Sequence, residues 1–177
     1  MSDLFDRVTA EGDVFKKILS KLPVFSGYFE RQNRRAADKL MRETIANRFE
    51  EQWKRISSVQ RSLISEGGIQ YVDDLEAAAV KLRQFIDRVR TASYGYAGFF
   101  DSIKVNEEEL AQIYDYDLKL LNLVDEVSRA IDNLEASLGT EGLAASIRHL
   151  VSLAGDCVEA FNRRSEVIQS GETPLSQ

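Results

Sequence analysis

The sequence predicts an all-α protein, an antiparallel up-down four-helix bundle of long helices preceded by a short amphipathic N-terminal helix. Three observations lead to this prediction. Apolar residues recur at alternating steps of three and four over long stretches, which places them on one face of a helix. The two prolines, Pro23 and Pro174, lie near the ends, so the 150 residues between them can form uninterrupted helices. The turns between the periodic stretches span only a few residues, which makes consecutive helices antiparallel neighbours.

Composition limits the class of protein further. The chain has 177 residues, of which 44% are hydrophobic and 29% are charged, as expected for one ordinary globular domain. No apolar run approaches the length of a transmembrane helix, and the first residues lack the pattern of a secretory signal. The single cysteine, Cys157, cannot form an internal disulfide. We therefore expect a cytoplasmic protein.

We expect three segments along the chain. Residues 1–25 form the amphipathic N-terminal helix and a hinge, and Pro23 ends the helix. Residues 26–169 form the bundle, and the polar residues 170–177 form a disordered tail. The apolar face of the N-terminal helix consists of Leu4, Phe5, Val8, Phe15, Ile18, Leu19 and Leu22.

The first long helix is predicted from about residue 28 to residue 65, where Gly67 and Gly68 turn the chain. Acid-before-base pairs four residues apart, which include Asp38/Arg42, are expected to support a solvated face. Two further pairs of this kind are Glu50/Lys54 and Glu51/Arg55. The buried face is predicted to comprise Ala37, Met41, Ile45, Phe49, Ile56, Val59 and Leu63, with Trp53 beside it.

The second and third long helices are predicted at about 71–100 and 107–138. They meet at an aromatic corner, which comprises residues 94–100. Gly95 and Gly98 within it either allow a close approach of another helix or fray the helix end, and we favour the close approach. We expect the aromatic side chains to be core. The alternative is a small-molecule pocket lined by Tyr94, Tyr96, Phe99, Phe100, Tyr114 and Asp117.

Asp117 is the one acid at an apolar stripe position of the third helix. We expect a modest rotation of the helix to turn it outward. Otherwise it is buried and must be paired, for example with an arginine or a tyrosine hydroxyl. Gly139 is expected just past the helix end, and the inner face of the last helix is predicted as Leu143, Ile147, Leu150, Ala154, Cys157, Phe161 and Ile168.

The residues give no support for catalysis, a cofactor or a metal. A carboxylate-bridged di-metal centre in a bundle needs two Glu-x-x-His motifs, whereas this chain has one histidine, His149, preceded three residues earlier by Ser146. Cys157 lies on the apolar stripe, where a buried and inert thiol is expected. We therefore expect a protein that is not an enzyme.

Charge is distributed unevenly along the chain. Residues 16–42 carry eight basic and two acidic side chains, whereas residues 101–135 carry ten acidic and three basic ones. The basic segment is either a solvated face or a site for an anion or partner. That candidate site consists of Arg31, Arg34, Arg35, Lys39 and Arg42. The net charge of −6 gives no reason to expect nucleic-acid binding.

These observations predict a non-enzymatic bundle that acts by binding a protein partner or by self-association. One alternative is a peripheral protein of an anionic membrane surface, using the N-terminal helix and residues 31–42. Over about residues 1–100, the order of parts resembles that of the phage-shock family of membrane-surface proteins, and this resemblance implies the same alternative. The other alternative is a small-molecule sensor or enzyme with its pocket at the aromatic corner.

Overall fold

The computed structural model describes residues 14, 16–22, 34–92 and 107–172. Within these ranges it describes all side chains except those of residues 34–37, 107–110 and 169–172. Of the described residues, 92% are helical and none lies in a strand. The predicted all-α fold class is confirmed.

Four long helices form the bundle: α1 (Arg34–Ser65), α2 (Val72–Thr91), α3 (Glu107–Ala136) and α4 (Leu143–Glu172). Each packs against two others, in the pairs α1–α2, α2–α4, α4–α3 and α3–α1. Consecutive helices run antiparallel. In the described residues α1 lies across the bundle from α4 and α2 lies across from α3, so the expectation that the second and third long helices are packed neighbours is wrong. The helix α4 continues to Glu172, so the expected tail from residue 170 is wrong for its first three residues; residues 173–177 lie outside the described part.

Glycine ends two of the helices because the backbone there turns left-handed. Gly67 follows α1 with a φ of 82°, and Gly139 follows α3 with a φ of 72°, a conformation that other residues adopt only at a cost. The position of Gly139 was predicted. A 3₁₀ turn at Ile69–Tyr71 then leads into α2.

The predicted apolar stripes form the core. Every described side chain on the predicted inner face of α1 is buried, and Trp53 packs at its edge. The same holds for α4. Three rings connect three helices: Phe49 meets Phe85 edge-on with centroids 4.7 Å apart, and Phe85 meets Phe161 at 6.0 Å. Ala37 and the aromatic corner from Tyr94 to Phe100, with its two glycines, lie outside the described side chains.

The N-terminal residues 16–21 form one more helical segment, which lies against α1 and α3. Ile18 and Leu22 join the main core. The Lys21 ammonium contacts the carboxylate of Asp125 on α3, and Arg48 of α1 donates to the Lys21 carbonyl at 3.2 Å. The described part of this segment thus packs on the bundle.

The surface ion pairs differ from those predicted. Glu50 contacts Arg83 and Arg90 on α2, and the hydrogen bond from Arg90 lowers the pKa of Glu50. Arg55 reaches α3, where it binds Asp132 at 2.6 Å and Glu135 at 3.0 Å. Charges predicted to pair along one solvated helix instead join neighbouring helices.

Replacing Phe49 with alanine should lower the free energy of unfolding by about 3–5 kcal/mol, because the substitution leaves a cavity among three helices. Urea denaturation followed by circular dichroism measures this change. The exposed Ile64 of the same helix is the matched control, and Ile64→Ala should change stability by less than about 0.5 kcal/mol. Equal effects of the two substitutions would contradict the described core.

Candidate functional site

Four charged side chains are buried together inside the bundle, near the end where α1 begins and α4 ends. They are Asp38 and Arg42 of α1, Asp117 of α3 and Arg164 of α4, and each is at most 3% exposed. Arg164 is one of the largest fully buried side chains described. Two cations and two carboxylates make the cluster formally neutral. We refer to these four residues as the buried charge cluster.

Arg164 lies at the centre of the cluster. Its Nε donates to Asp117 Oδ1 at 2.7 Å, and its Nη2 contacts Asp38 Oδ1 across the bundle. The second oxygen of Asp38 accepts from Arg42 Nε at 2.8 Å. Arg42 in turn donates from Nη1 to the carbonyl of Val89 on α2 at 3.1 Å. The cluster therefore connects all four helices through one continuous set of charge-assisted hydrogen bonds.

The expectation that Asp117 turns outward is wrong, because Asp117 is fully buried. The alternative interpretation, a buried and paired aspartate, is the one that the structure describes, and the partner is an arginine. Tyr114, one turn earlier on α3, is also buried. The other four residues of the predicted pocket, Tyr94, Tyr96, Phe99 and Phe100, lie outside the described residues.

The burial of Arg42 also changes the interpretation of the basic segment. Arg42 was predicted to lie on the surface, but it is buried because its guanidinium bonds to Asp38 and to the Val89 carbonyl. The pairing of Asp38 with Arg42 was predicted correctly, while its placement on a solvated face was wrong. Lys39 is exposed and lies 3.8 Å from Glu43. The structure describes the backbone of Arg34 and Arg35 within α1, but not their side chains, and Arg31 lies outside the described residues.

Sequence reasoning missed Arg164 and the burial of Asp38. A signal for Arg164 was present, since it follows Phe161 by three residues and precedes Ile168 by four, and so occupies a stripe position. Asp38 precedes the stripe residue Met41 by three. Two opposite charges on the stripes of facing helices are a pattern that could have been recognised.

The cluster is built to hold helices together, and its chemistry is limited. An arginine does not lose its proton in the neutral pH range, and each aspartate here accepts a hydrogen bond from a guanidinium. Elsewhere in α4, burial raises the pKa of the Cys157 thiol, and the carboxylates of Asp156 and Glu126 raise it further. His149 is exposed on the outer face of α4.

The described part of the chain has neither a metal-binding cluster nor a membrane-spanning helix, but it has a surface groove. No group of three or more histidine, cysteine, aspartate or glutamate side chains there is arranged to hold a metal ion. No described helix has a stretch long and apolar enough to span a bilayer. A groove of about 700 Å³ runs along α3 and α4, and its wall includes Tyr116, Leu118 and Leu123.

Comparison with known proteins gives no assignment. No protein-family model, curated protein or solved structure matches this chain.

Replacing Arg164 with methionine should lower the free energy of unfolding by about 3–5 kcal/mol, because two buried carboxylates lose their shared cation. The adjacent Arg163 is a matched control, since it is exposed and pairs only with Glu159 of its own helix among the described residues. Arg163→Met should cost less than about 1 kcal/mol. Urea denaturation of both variants measures the difference.

Removing both members of the Asp117–Arg164 pair tests whether the loss comes from an uncompensated charge. The double variant Asp117→Leu/Arg164→Met should be more stable than Arg164→Met alone, because Asp38 still has Arg42 beside it. If the double variant loses as much stability as Asp117→Leu and Arg164→Met lose in sum, the two side chains do not interact as described.

The Cys157 thiol should be unreactive toward a disulfide reagent at mildly alkaline pH, because it is buried and its raised pKa keeps it protonated. The reaction should become fast in concentrated urea. The variant Cys157→Ala/Ser152→Cys, which moves the thiol to an exposed position of α4, is the control and should react in the native protein. Fast reaction of native Cys157 would contradict its burial.

Proposed function

We propose that this chain is a non-enzymatic helical bundle that acts in the cytoplasm through protein–protein interaction or self-association. The observation that carries the proposal is a contrast among the described side chains, in which the buried charges pair with one another and the surface charges are segregated. The described buried charges are engaged with one another and join the helices, whereas the outward-facing charges are sorted by helix.

The sorting is visible in the described side chains of α1 and α3. Outside the buried charge cluster, α1 has five basic and three acidic side chains, a balance of +2. In the same way α3 has two basic and five acidic side chains, a balance of −3. Complementary potentials of this kind steer association and select partners, so they favour a binding role.

The chemistry of the described residues supports a role without catalysis. An acid–base or nucleophilic enzyme needs a group that can change protonation next to an accessible cleft. Asp117, the acid of the predicted pocket, is paired with Arg164, and the thiol of Cys157 is buried. These features favour binding over the sensor or enzyme alternative.

The packing of the N-terminal segment favours a protein partner over a membrane. An interfacial helix needs free apolar side chains, but Ile18 and Leu22 are committed to the bundle core. Arg42 is buried as well, which removes one of the five basic residues proposed to attract an anionic surface.

Cross-linking in the native host tests the proposal. The tagged full-length chain, treated with a lysine-reactive cross-linker before lysis, should give cross-links to a second protein or to another copy of itself. Mixed heavy- and light-isotope chains distinguish links between copies from links within one chain. Links only within single chains, together with a monomeric mass at cellular concentration, would overturn the proposal. Salt-resistant flotation with anionic phosphatidylserine vesicles would favour the membrane alternative.

A further inference from the structure

The groove along α3 and α4 is lined by side chains of both helices. On α3 its lining extends from Asp115 to Glu126, and on α4 it includes Asp156, Glu159 and Arg163. Eleven residue steps along α3 correspond to about 16 Å at ~1.5 Å per residue, which is the length of three helical turns. The groove is therefore long enough to hold a short helix lying along the bundle.

The floor and the rim of the groove differ in chemistry. Leu118 and the ring of Tyr116, both half-buried, supply apolar surface, and the buried Leu123 lies beneath them. Four carboxylates and two cations surround this surface, a balance of −2. One of the two cations, Arg163, is bound by Glu159 at 2.8 Å. Among the described residues, no cation lies within ion-pair distance of the remaining three carboxylates: Asp115, Glu126 and Asp156.

Two of these three carboxylates also affect a buried side chain. Burial is the main reason that the pKa of the Cys157 thiol is raised, and the carboxylates of Asp156 and Glu126 raise it further. A cationic group bound over the groove would offset the negative potential of these two carboxylates.

The side of α3 that faces α1 shows how this bundle holds a short helix. Residues 16–21 lie there with Ile18 and Leu22 buried in the core and the Lys21 ammonium against Asp125. Asp125 and Glu126 are consecutive, so one carboxylate contacts the N-terminal segment while the next lines the groove. The combination of apolar anchors and a lysine paired to an α3 acid is thus already used once in the molecule.

We propose that the α3–α4 groove binds a short cationic amphipathic helix of a partner protein, with apolar side chains on Leu118 and Tyr116 and lysine or arginine side chains on Asp115, Glu126 and Asp156. The inference rests on the proposed binding function and names the partner's chemistry. Amphipathic helices bind such grooves through anchors one and two turns apart, and the complementary charges fix their register.

Peptide titration tests the proposal on the full-length chain. The probe is a fluorescein-labelled peptide of leucine and lysine whose leucines follow helical spacing. A scrambled peptide of the same composition and a leucine–glutamate peptide are the comparison probes. Fluorescence anisotropy should show saturable binding of the first peptide, at least about tenfold weaker binding of the scrambled peptide, and no binding of the acidic one.

A matched pair of protein variants locates the binding site. Asp115→Lys/Glu126→Lys/Asp156→Lys reverses three charges of the groove. Glu51→Lys/Asp74→Lys/Glu141→Lys reverses three exposed charges elsewhere and changes the net charge equally. The groove variant should bind the amphipathic peptide about tenfold more weakly, and the control variant should bind within about twofold of the wild type. Circular dichroism of both variants checks that the fold is retained.

Three outcomes would overturn the inference. Equal weakening in both variants, or equal binding of the scrambled peptide, would mean attraction by net charge alone. Absence of peptide binding, combined with loss of self-association only in the groove variant, would assign the groove to a second copy of the chain. Absence of binding with cross-links at other surfaces would reject the groove while the proposed binding function stands.

Discussion

The burial of Arg164 is the constraint on which the arrangement of the bundle depends. A guanidinium removed from water loses several kcal/mol of hydration free energy, which only close carboxylates and hydrogen bonds can offset. Asp117 and Asp38 provide them from α3 and from α1, the helix across the bundle, and Arg42 connects the same carboxylate to a backbone carbonyl of α2. Sliding any one helix by a turn, about 5.4 Å, would separate at least one of these pairs. The charges therefore restrict the register of all four helices at once, whereas apolar stripes alone tolerate such a shift.

The same arrangement explains why the interior offers little chemistry. Charges that hold helices in register must remain charged and paired over the working pH range. Groups that transfer protons must instead change charge during a catalytic cycle. In the described cluster each carboxylate accepts a hydrogen bond from an arginine, and arginine does not transfer protons at neutral pH. The cluster therefore stabilises the fold and is not suited to acid–base catalysis. The four buried charges therefore have a structural role, which is compatible with the proposed binding function.

Periodicity was sufficient to predict the helices, their antiparallel order and most of the described core, because steps of three and four specify a buried face without knowledge of the partner. It missed buried residues beside the stripes, Phe85 among them. It was insufficient for the charges. Asp38 and Arg42 have the spacing of a solvated pair, and that spacing is the same whether the pair faces water or the core. Counting outward from the middle of the turn, between Thr140 and Glu141, the stripe positions of α3 and α4 correspond as Val124 with Cys157, Leu120 with Phe161 and Asp117 with Arg164. The last correspondence, applied to the sequence, would have placed Asp117 inside.

The acidity of α3 follows from its position between two unlike neighbours. On the side of α1 and the N-terminal segment, Lys21 and Arg55 compensate Asp125, Asp132 and Glu135. On the side of the groove, the described cations are fewer than the carboxylates. A surplus of acids contributes nothing to the stability of the isolated chain, since like charges repel one another. Its presence beside Leu118 and Tyr116 is explained if a cationic helix, held as residues 16–21 are held beside α1, supplies the positive charge.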